Sequence, residues 1–173
     1  MLRITLYALV AVFVVACASK QTIQSDASGG AKLDPAQTAF VTTPENGRYG
    51  AQIYHGSGGT TAQIIAGAFA RYLKDVHVGH RHQNRDEAIA SAREECAEIL
   101  IEPRILHWEE RATEWSGLPD RISVLVAVID VQSGTEIDRA TIDGRSSWWT
   151  LGGDHPQDLL PKPAKEYART LVN

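Results

Sequence analysis

The sequence predicts a mixed α/β domain, a β-sheet of about five strands containing a β-meander and covered by about three helices. Three observations predict it. Two segments carry capping-box spacings ahead of helical apolar stripes, Thr60 with Gln63 and Asn84 with Glu87. The run from Ile122 to Val131 is apolar at both parities, as a strand buried in mid-sheet requires. The order of elements is strand, helix, strand, helix, three-strand meander and helix, which places helices against a sheet.

The folded part begins at Phe40 and Val41, a strand ending at Pro44, with Glu45-Asn46-Gly47 as a turn. Ile53-Tyr54-His55 and the loop Gly56-Ser57-Gly58-Gly59 precede a first helix opened by Thr60, whose Ile65, Phe69, Tyr72 and Leu73 form one stripe. His77 to Gly79 is a short strand, and Asn84 opens a second helix running to Glu95. Cys96 follows on the face of Ala88 and Ala92, the place of a small buried thiol. Ile99, Ile101 and Ile105 alternate along a strand, and Ser133-Gly134 turns the Ile122–Val131 strand into its partner, Glu136 to Ile142. Pro161 and Pro163 fit the first turn of a closing helix that carries Ala164, Tyr167 and Leu171 on one face.

The N-terminus gives an address. Arg3 precedes an apolar run, Leu6 to Ala16, that is too short to span a bilayer and ends in Val14-Val15-Ala16-Cys17. This resembles a bacterial lipobox, and the resemblance implies a signal peptide over residues 1–16 and diacylglyceryl modification of Cys17. A lipidated N-terminus and flexible tether would cover residues 17–36, and a single periplasmic domain residues 37–173. Ala18 and Ser19, rather than an aspartate, follow the cysteine, which by the same resemblance favours the outer membrane, facing the periplasm. The tether composition, poor in large apolar residues, predicts a coil reaching roughly 25 Å.

The chain carries a formal charge of −4, and losing Arg3 makes it more acidic, so nothing invites nucleic acid. With 43% hydrophobic residues, one core of ordinary size is expected. Lipidation of Cys17 leaves Cys96 without an intrachain partner.

The strand-turn-strand Ile122 to Ile142 is similar to that of periplasmic domains like the N-terminal domain of the TolB translocation protein and the curli-secretion lipoprotein. A closer resemblance lies in Leu106 to Gly117 with Pro119-Asp120-Arg121, and in Gly152 to Pro161. These segments resemble signature stretches of a family of small bacterial lipoproteins known as a domain of unknown function. That family implies no activity and no catalytic residue.

Four constellations are candidates for function. Gly56, Ser57, Gly58 and Gly59 lead into a helix whose backbone N–H groups suit a small phosphate or carboxylate; the commoner reading is a tight turn, since the Walker lysine and the dinucleotide fingerprint are missing. His77, His80 and His82 lie within six residues but lack metal-site spacing and a fourth ligand, so no metal or other cofactor is expected. The stretch from Trp108 to Arg121 reads as one projecting hairpin with solvated cross-strand ion pairs. Its Trp108, Glu110, Arg111, Trp115 and Arg121 form the candidate partner surface, because tryptophan and arginine anchor interfaces. The alternative is a glycan- or small-molecule-binding protein, even a hydrolase, using Glu109, Glu114 or Asp120 as carboxylates. Lastly, Trp148-Trp149 precede Asp154 and His155; the tryptophans are core, pocket lining, or one of each. Asp154 suits a cap into Pro156, and no nucleophile accompanies its pairing with His155. These residues predict a membrane-anchored module that binds an envelope protein or copies of itself.

Overall fold

The structure is a computed structural model that describes residues 19–25, 32–110, 119–147 and 155–172. Six strands form one mixed sheet: β1 (Lys20–Ser25), β2 (Thr38–Val41), β5 (Asp75–Val78), β6 (Ile99–Glu109), β7 (Arg121–Asp130) and β8 (Glu136–Arg145), in the spatial order β1-β8-β7-β6-β2-β5. Strand β2 lies parallel to β5 and β6, whereas β6, β7 and β8 form the antiparallel meander. A small hairpin, β3 (Arg48–Tyr49) with β4 (Gln52–Ile53), stands apart. The helices are α1 (Ser57–Phe69), α2 (Arg85–Glu94) and α3 (Pro161–Val172), with a 3₁₀ turn at Pro156–Leu159. The α/β class and the meander are as the sequence predicts, with one strand more in the sheet.

The additional strand comes from the segment expected to be tether. β1 pairs antiparallel with β8 from Lys20↔Arg145 to Ser25↔Ala140. Its Ile23 packs on the core while Lys20, Thr22 and Gln24 are exposed. A polar segment with one large apolar residue cannot build a core of its own, but an edge strand borrows one and needs only backbone partners. The segment after it is also tied down: Leu33 is buried and its N–H donates to the Leu171 carbonyl of α3 at 2.8 Å.

The two faces of the sheet are covered unequally. On the first, Val124, Val126 and Val128 of β7 and Ala140 and Ile142 of β8 share a core with Ile65 and Phe69 of α1 and Ala164, Tyr167 and Leu171 of α3. On the second, Ala88 and Ala92 of α2 cover Phe40, Leu100, Ala127 and Ile129. Helix α2 packs over β2 and β6. Among the described residues no helix covers the second face of β7, β8 and β1 near Arg121, Arg145 and Lys20.

Helix α2 starts as the sequence reads: Asn84 Oδ1 accepts the Glu87 N–H at 3.0 Å and Glu87 Oε2 accepts the Asn84 N–H at 3.3 Å. Its end corrects the expectation for Cys96. The Ala97 N–H donates to Ala92 O at 2.8 Å and the Cys96 N–H to Arg93 O at 3.1 Å, the bond pair of a Schellman motif. Cys96 therefore takes the left-handed position that closes the helix, φ 54°, and is exposed rather than buried. An L side chain there costs about 1–2 kcal/mol, partly offset by its smaller unfolded entropy. Cys96→Gly should raise stability by about 0.5–1 kcal/mol in urea melts, with Cys96→Ala unchanged.

One buried polar contact joins α3 to the sheet. The Tyr167 hydroxyl donates to Asp138 Oδ1 at 2.6 Å, both side chains being buried. Burial, then the hydrogen bond to Asp138, raises the phenol pKa well above its ordinary value. The raised folded-state value means that this contribution is complete below about pH 10, where the unfolded tyrosine is still protonated, and is lost as pH rises beyond it. Tyr167→Phe should cost about 1–3 kcal/mol at neutral pH by leaving Asp138 unpaired, and should flatten the stability loss above about pH 10 in pH-dependent melts.

Candidate functional site

Three chain-distant segments converge on Glu110, just beyond the end of β6. The register of β6 against β7 shifts between Ile105 and His107, so Trp108 pairs with Ile122 on the helix-covered face, while His107 opposite Ser123 and Glu109 opposite Arg121 belong to the other. Past the strand, Glu110 meets Tyr54: the Tyr54 hydroxyl donates to the Glu110 carbonyl at 3.2 Å and lies 3.4 Å from the Glu110 N–H. The Glu110 carboxylate takes the Nδ1 of His155 at 2.8 Å, both side chains remaining partly exposed. In a neutral ring this partner selects the Nδ1–H tautomer and leaves the lone pair on Nε2, a weak base held at a surface. On the opposite face His107 Nε2 sits 3.1 Å from Glu109 Oε2, a carboxylate only 2% exposed.

This geometry revises several expectations. Trp108 is no surface anchor: at 2% exposure it packs against Gly47 and beside the Tyr54 ring, in the same core as Ile122. The register shift within β6 turns it inward. Nor are Glu109 and Asp120 solvated: Glu109 is buried beside His107, and Asp120 is buried just before β7. There the Asp120 N–H donates to Ser146 Oγ at 2.9 Å and the Ser146 N–H to Asp120 O at 3.0 Å. Arg121 is exposed but lies on the face away from Glu110 and His155. Cys17, Arg111, Glu114, Trp115, Trp148, Trp149 and Asp154 lie outside the described residues. The N–H of His155, next to Pro156, is accepted by Asp158 Oδ2 at 3.1 Å.

The glycine-rich segment is not a loop but the first turn of α1, which starts at Ser57 rather than at Thr60. Three of its N–H donors are engaged. Asn46 Oδ1 accepts the N–H groups of both Gly56 and Gly58 at 3.1 Å, and Tyr54 O accepts that of Ser57 at 3.2 Å. Ser57 Oγ in turn accepts the Gly47 N–H at 2.8 Å. The acceptor that this helix start holds is thus the neutral Asn46 amide oxygen. Gly58 is required by contact, since a Cβ there would stand 2.3 Å from the Pro44 carbonyl oxygen, whereas one at Gly59 meets nothing.

The three histidines do not converge on one another. His77 lies 3.6 Å from Asp75 and 3.5 Å from Glu95, His82 lies 3.9 Å from Glu45, and His80 is exposed. Two surface grooves flank β6 and β7 on the open side of the sheet. The larger, about 770 Å³, runs between α2 and β6 and is bordered by Asn46, Arg48, His82, Arg85, Glu102 and Arg104. Arg85 is committed there, its Nη2 lying 2.6 Å from Glu102 Oε2. The second, about 420 Å³, crosses β1, β8 and β7. Neither groove is lined by Glu109 or Asp120. Tyr54 and the pairing of Glu110 with His155 escaped sequence reasoning because 56 and 45 residues separate the partners. The pairing of His107 with Glu109 did carry a signal, the i, i+2 spacing of one strand face.

The fold and this site define a small mixed α/β domain built on a six-stranded sheet with three helices. The chain belongs to the family described as a domain of unknown function (DUF4823), which matches residues 31–171. Among solved structures it is similar to the PelC dodecamer from Paraburkholderia phytofirmans, with a TM-score of 0.65 at 16% identity over 89% of this chain and 99% of that one. It is also similar to XCC0632 from Xanthomonas campestris, of family DUF330, with a TM-score of 0.50 at 13% identity over 82% of this chain and 91% of the other. No curated protein matches the sequence. At these identities the likeness establishes the fold.

The glycine contacts can be checked directly. Gly58→Ala should lower stability by about 1–3 kcal/mol by pushing α1 off the Pro44 carbonyl, whereas Gly59→Ala, in open space within the helix, should raise it by up to about 1 kcal/mol. Thermal melts of the two variants distinguish helix-start packing from a loop free to wrap a ligand.

Proposed function

We propose that this protein is a lipoprotein anchored through Cys17 in the outer membrane, facing the periplasm, whose domain assembles with copies of itself or with an envelope partner. The observation that carries this reading is the match of the fold to nearly the whole of a PelC subunit, a protein that forms a dodecamer. A lipobox-like leader and a domain with no recognisable cofactor loop support it. The contact surface on this reading centres on Glu110 and His155, which join the end of β6 to the 3₁₀ turn, and takes in Arg111 and Trp115, which follow Glu110 in sequence. Trp108 supports that surface from the core beneath it. Arg121, on the other face, is not part of it.

The test is the mass of the purified full-length lipoprotein in mild detergent, by light scattering corrected for detergent, beside a Glu110→Arg, Trp115→Ala form. A discrete multi-copy species, or a stoichiometric envelope protein co-purified after crosslinking in the membrane, is expected, with either one lost in the variant. A wild-type protein that stays monomeric and crosslinks to nothing overturns the proposal, as does an assembly that the variant leaves unchanged.

A further inference from the structure

The second groove contains a row of cations that the assembly surface does not use. Register places Arg121 of β7 opposite Arg145 of β8, and Arg145 opposite Lys20 of β1. Alternation puts all three on the face without a helix. Their sequence neighbours Ile122 and Gly144 turn the other way, Ile122 into the core with α1 and α3 and Gly144 toward Leu159, as does Ile23 in β1. The side chains are exposed, and among the described residues none has a carboxylate within 4.0 Å. Arg145 stands about 5 Å, backbone to backbone, from both Arg121 and Lys20, which are about 10 Å apart, and like charges directly opposite are destabilising in an isolated sheet. The next row in from them, His107, Ser123, Asp143 and Thr22, supplies hydroxyls and one carboxylate, and the two rows line the groove of about 420 Å³. The row ends at Glu109 of β6, opposite Arg121 but only 2% exposed, so the exposed charges along it are three cations in a chain of net charge −4.

The row also lies at a particular end of the molecule. Lys20 is the first residue of β1, three residues after Cys17. Three residues span at most about 11 Å, so Lys20 is held within about one Debye length of whatever surface Cys17 is fixed to, and Arg145 and Arg121 follow it one and two strand spacings along the sheet. A domain on a long tether would have no fixed orientation, but one whose edge strand begins this close to its anchor presents the same edge to the bilayer throughout.

We infer that Lys20, Arg121 and Arg145 form a binding site for the phosphate headgroups of anionic lipid, which docks the open end of the sheet on the membrane that holds the anchor. This rests on the proposed lipidation of Cys17 and adds to it an orientation and a lipid preference. Each basic side chain near an anionic surface contributes a factor of about five in binding, so removing two of the three should lower the docked-to-free ratio about 25-fold.

The experiment uses the mature lipoprotein reconstituted into vesicles of phosphatidylcholine alone or with about 30% phosphatidylglycerol. The fluorophore sits on Gln24→Cys in a Cys96→Ser background, and the quencher on a lipid headgroup. Gln24 lies on the same face of β1 as Lys20. Quenching should be stronger in the anionic vesicles, fall in about 0.5 M salt, and drop to the phosphatidylcholine level in Arg121→Gln, Arg145→Gln. Far-UV circular dichroism of that variant, and of Lys20→Gln alone, verifies that each folds. Quenching that ignores lipid charge, or that both folded variants retain, overturns the headgroup site. The intact mass is read on the same sample: a mature chain without acyl groups on Cys17 overturns the anchor reading instead.

Discussion

The fold turns on β7, a strand that has to be covered twice. Its helix-side residues, Ile122, Val124, Val126 and Val128, are apolar from end to end and meet α1, α3 and the 3₁₀ turn. Its other face changes along the strand: Ala127 and Ile129 lie under α2, then Leu125 is half-buried, and Ser123 and Arg121 are polar. Burying apolar area gains roughly 25 cal/mol per Å², so each apolar residue on that face is useful only as far as α2 reaches. Helix α2 spans only ten residues and crosses β2 and β6, and the composition of β7 follows its shadow. Everything beyond that shadow is free to carry charge, and it carries Arg121, Arg145 and Lys20 beside Asp143.

The division between what was legible and what was not follows the same physics. The three helices, the meander and the mid-sheet position of β7 were legible because they rest on apolar periodicity, which sequence displays directly. The edge strand β1 was not, because its stability comes from β8's open backbone edge and its own residues read as linker. Cys96 was misplaced because helical phase was carried one turn too far: the Schellman bonds to Ala92 and Arg93 end the helix and rotate the thiol outward. Trp108 was misplaced by a single irregularity, the register shift after Ile105, which sequence does not mark. At Gly56 to Gly59 composition marked a tight entry into a helix but not the contacts that require it. The glycines admit the Pro44 carbonyl and the Asn46 side chain rather than a ligand.

The candidate site was legible as parts and not as a whole. Glu110 and His155 each stood in a stretch rich in acids, aromatics and glycine, but their meeting depends on where the 3₁₀ turn is set down against the end of the sheet. That placement is steric. A Cβ on Gly144 would come within 2.7 Å of Leu159 Cβ and 3.0 Å of Ile122 Cγ2, so the turn packs directly on the backbone of β8. His155 then sits one residue before the turn and within reach of Glu110. Tyr54 completes the junction because Asn46 and Ser57 bind the chain on either side of it to the start of α1. A surface built this way is rigid beneath and exposed above, which suits recognition of a partner better than enclosure of a substrate.

The two faces therefore differ in kind. The covered face is stabilised by apolar packing and one buried hydroxyl–carboxylate bond, Tyr167 to Asp138, and its edge presents the Glu110 and His155 surface. The open face carries like charges whose repulsion grows with their proximity, and three exposed cations held side by side on adjacent strands are stabilised further when an anion joins them. Repulsion between such neighbours could be relieved by separating them, yet the ladder fixes Arg121, Arg145 and Lys20 in one row and β1 leaves no slack at its start. A sheet that tolerates this arrangement beside the proposed anchor is less stable alone than on an anionic surface, and that difference is the free energy available to orient it.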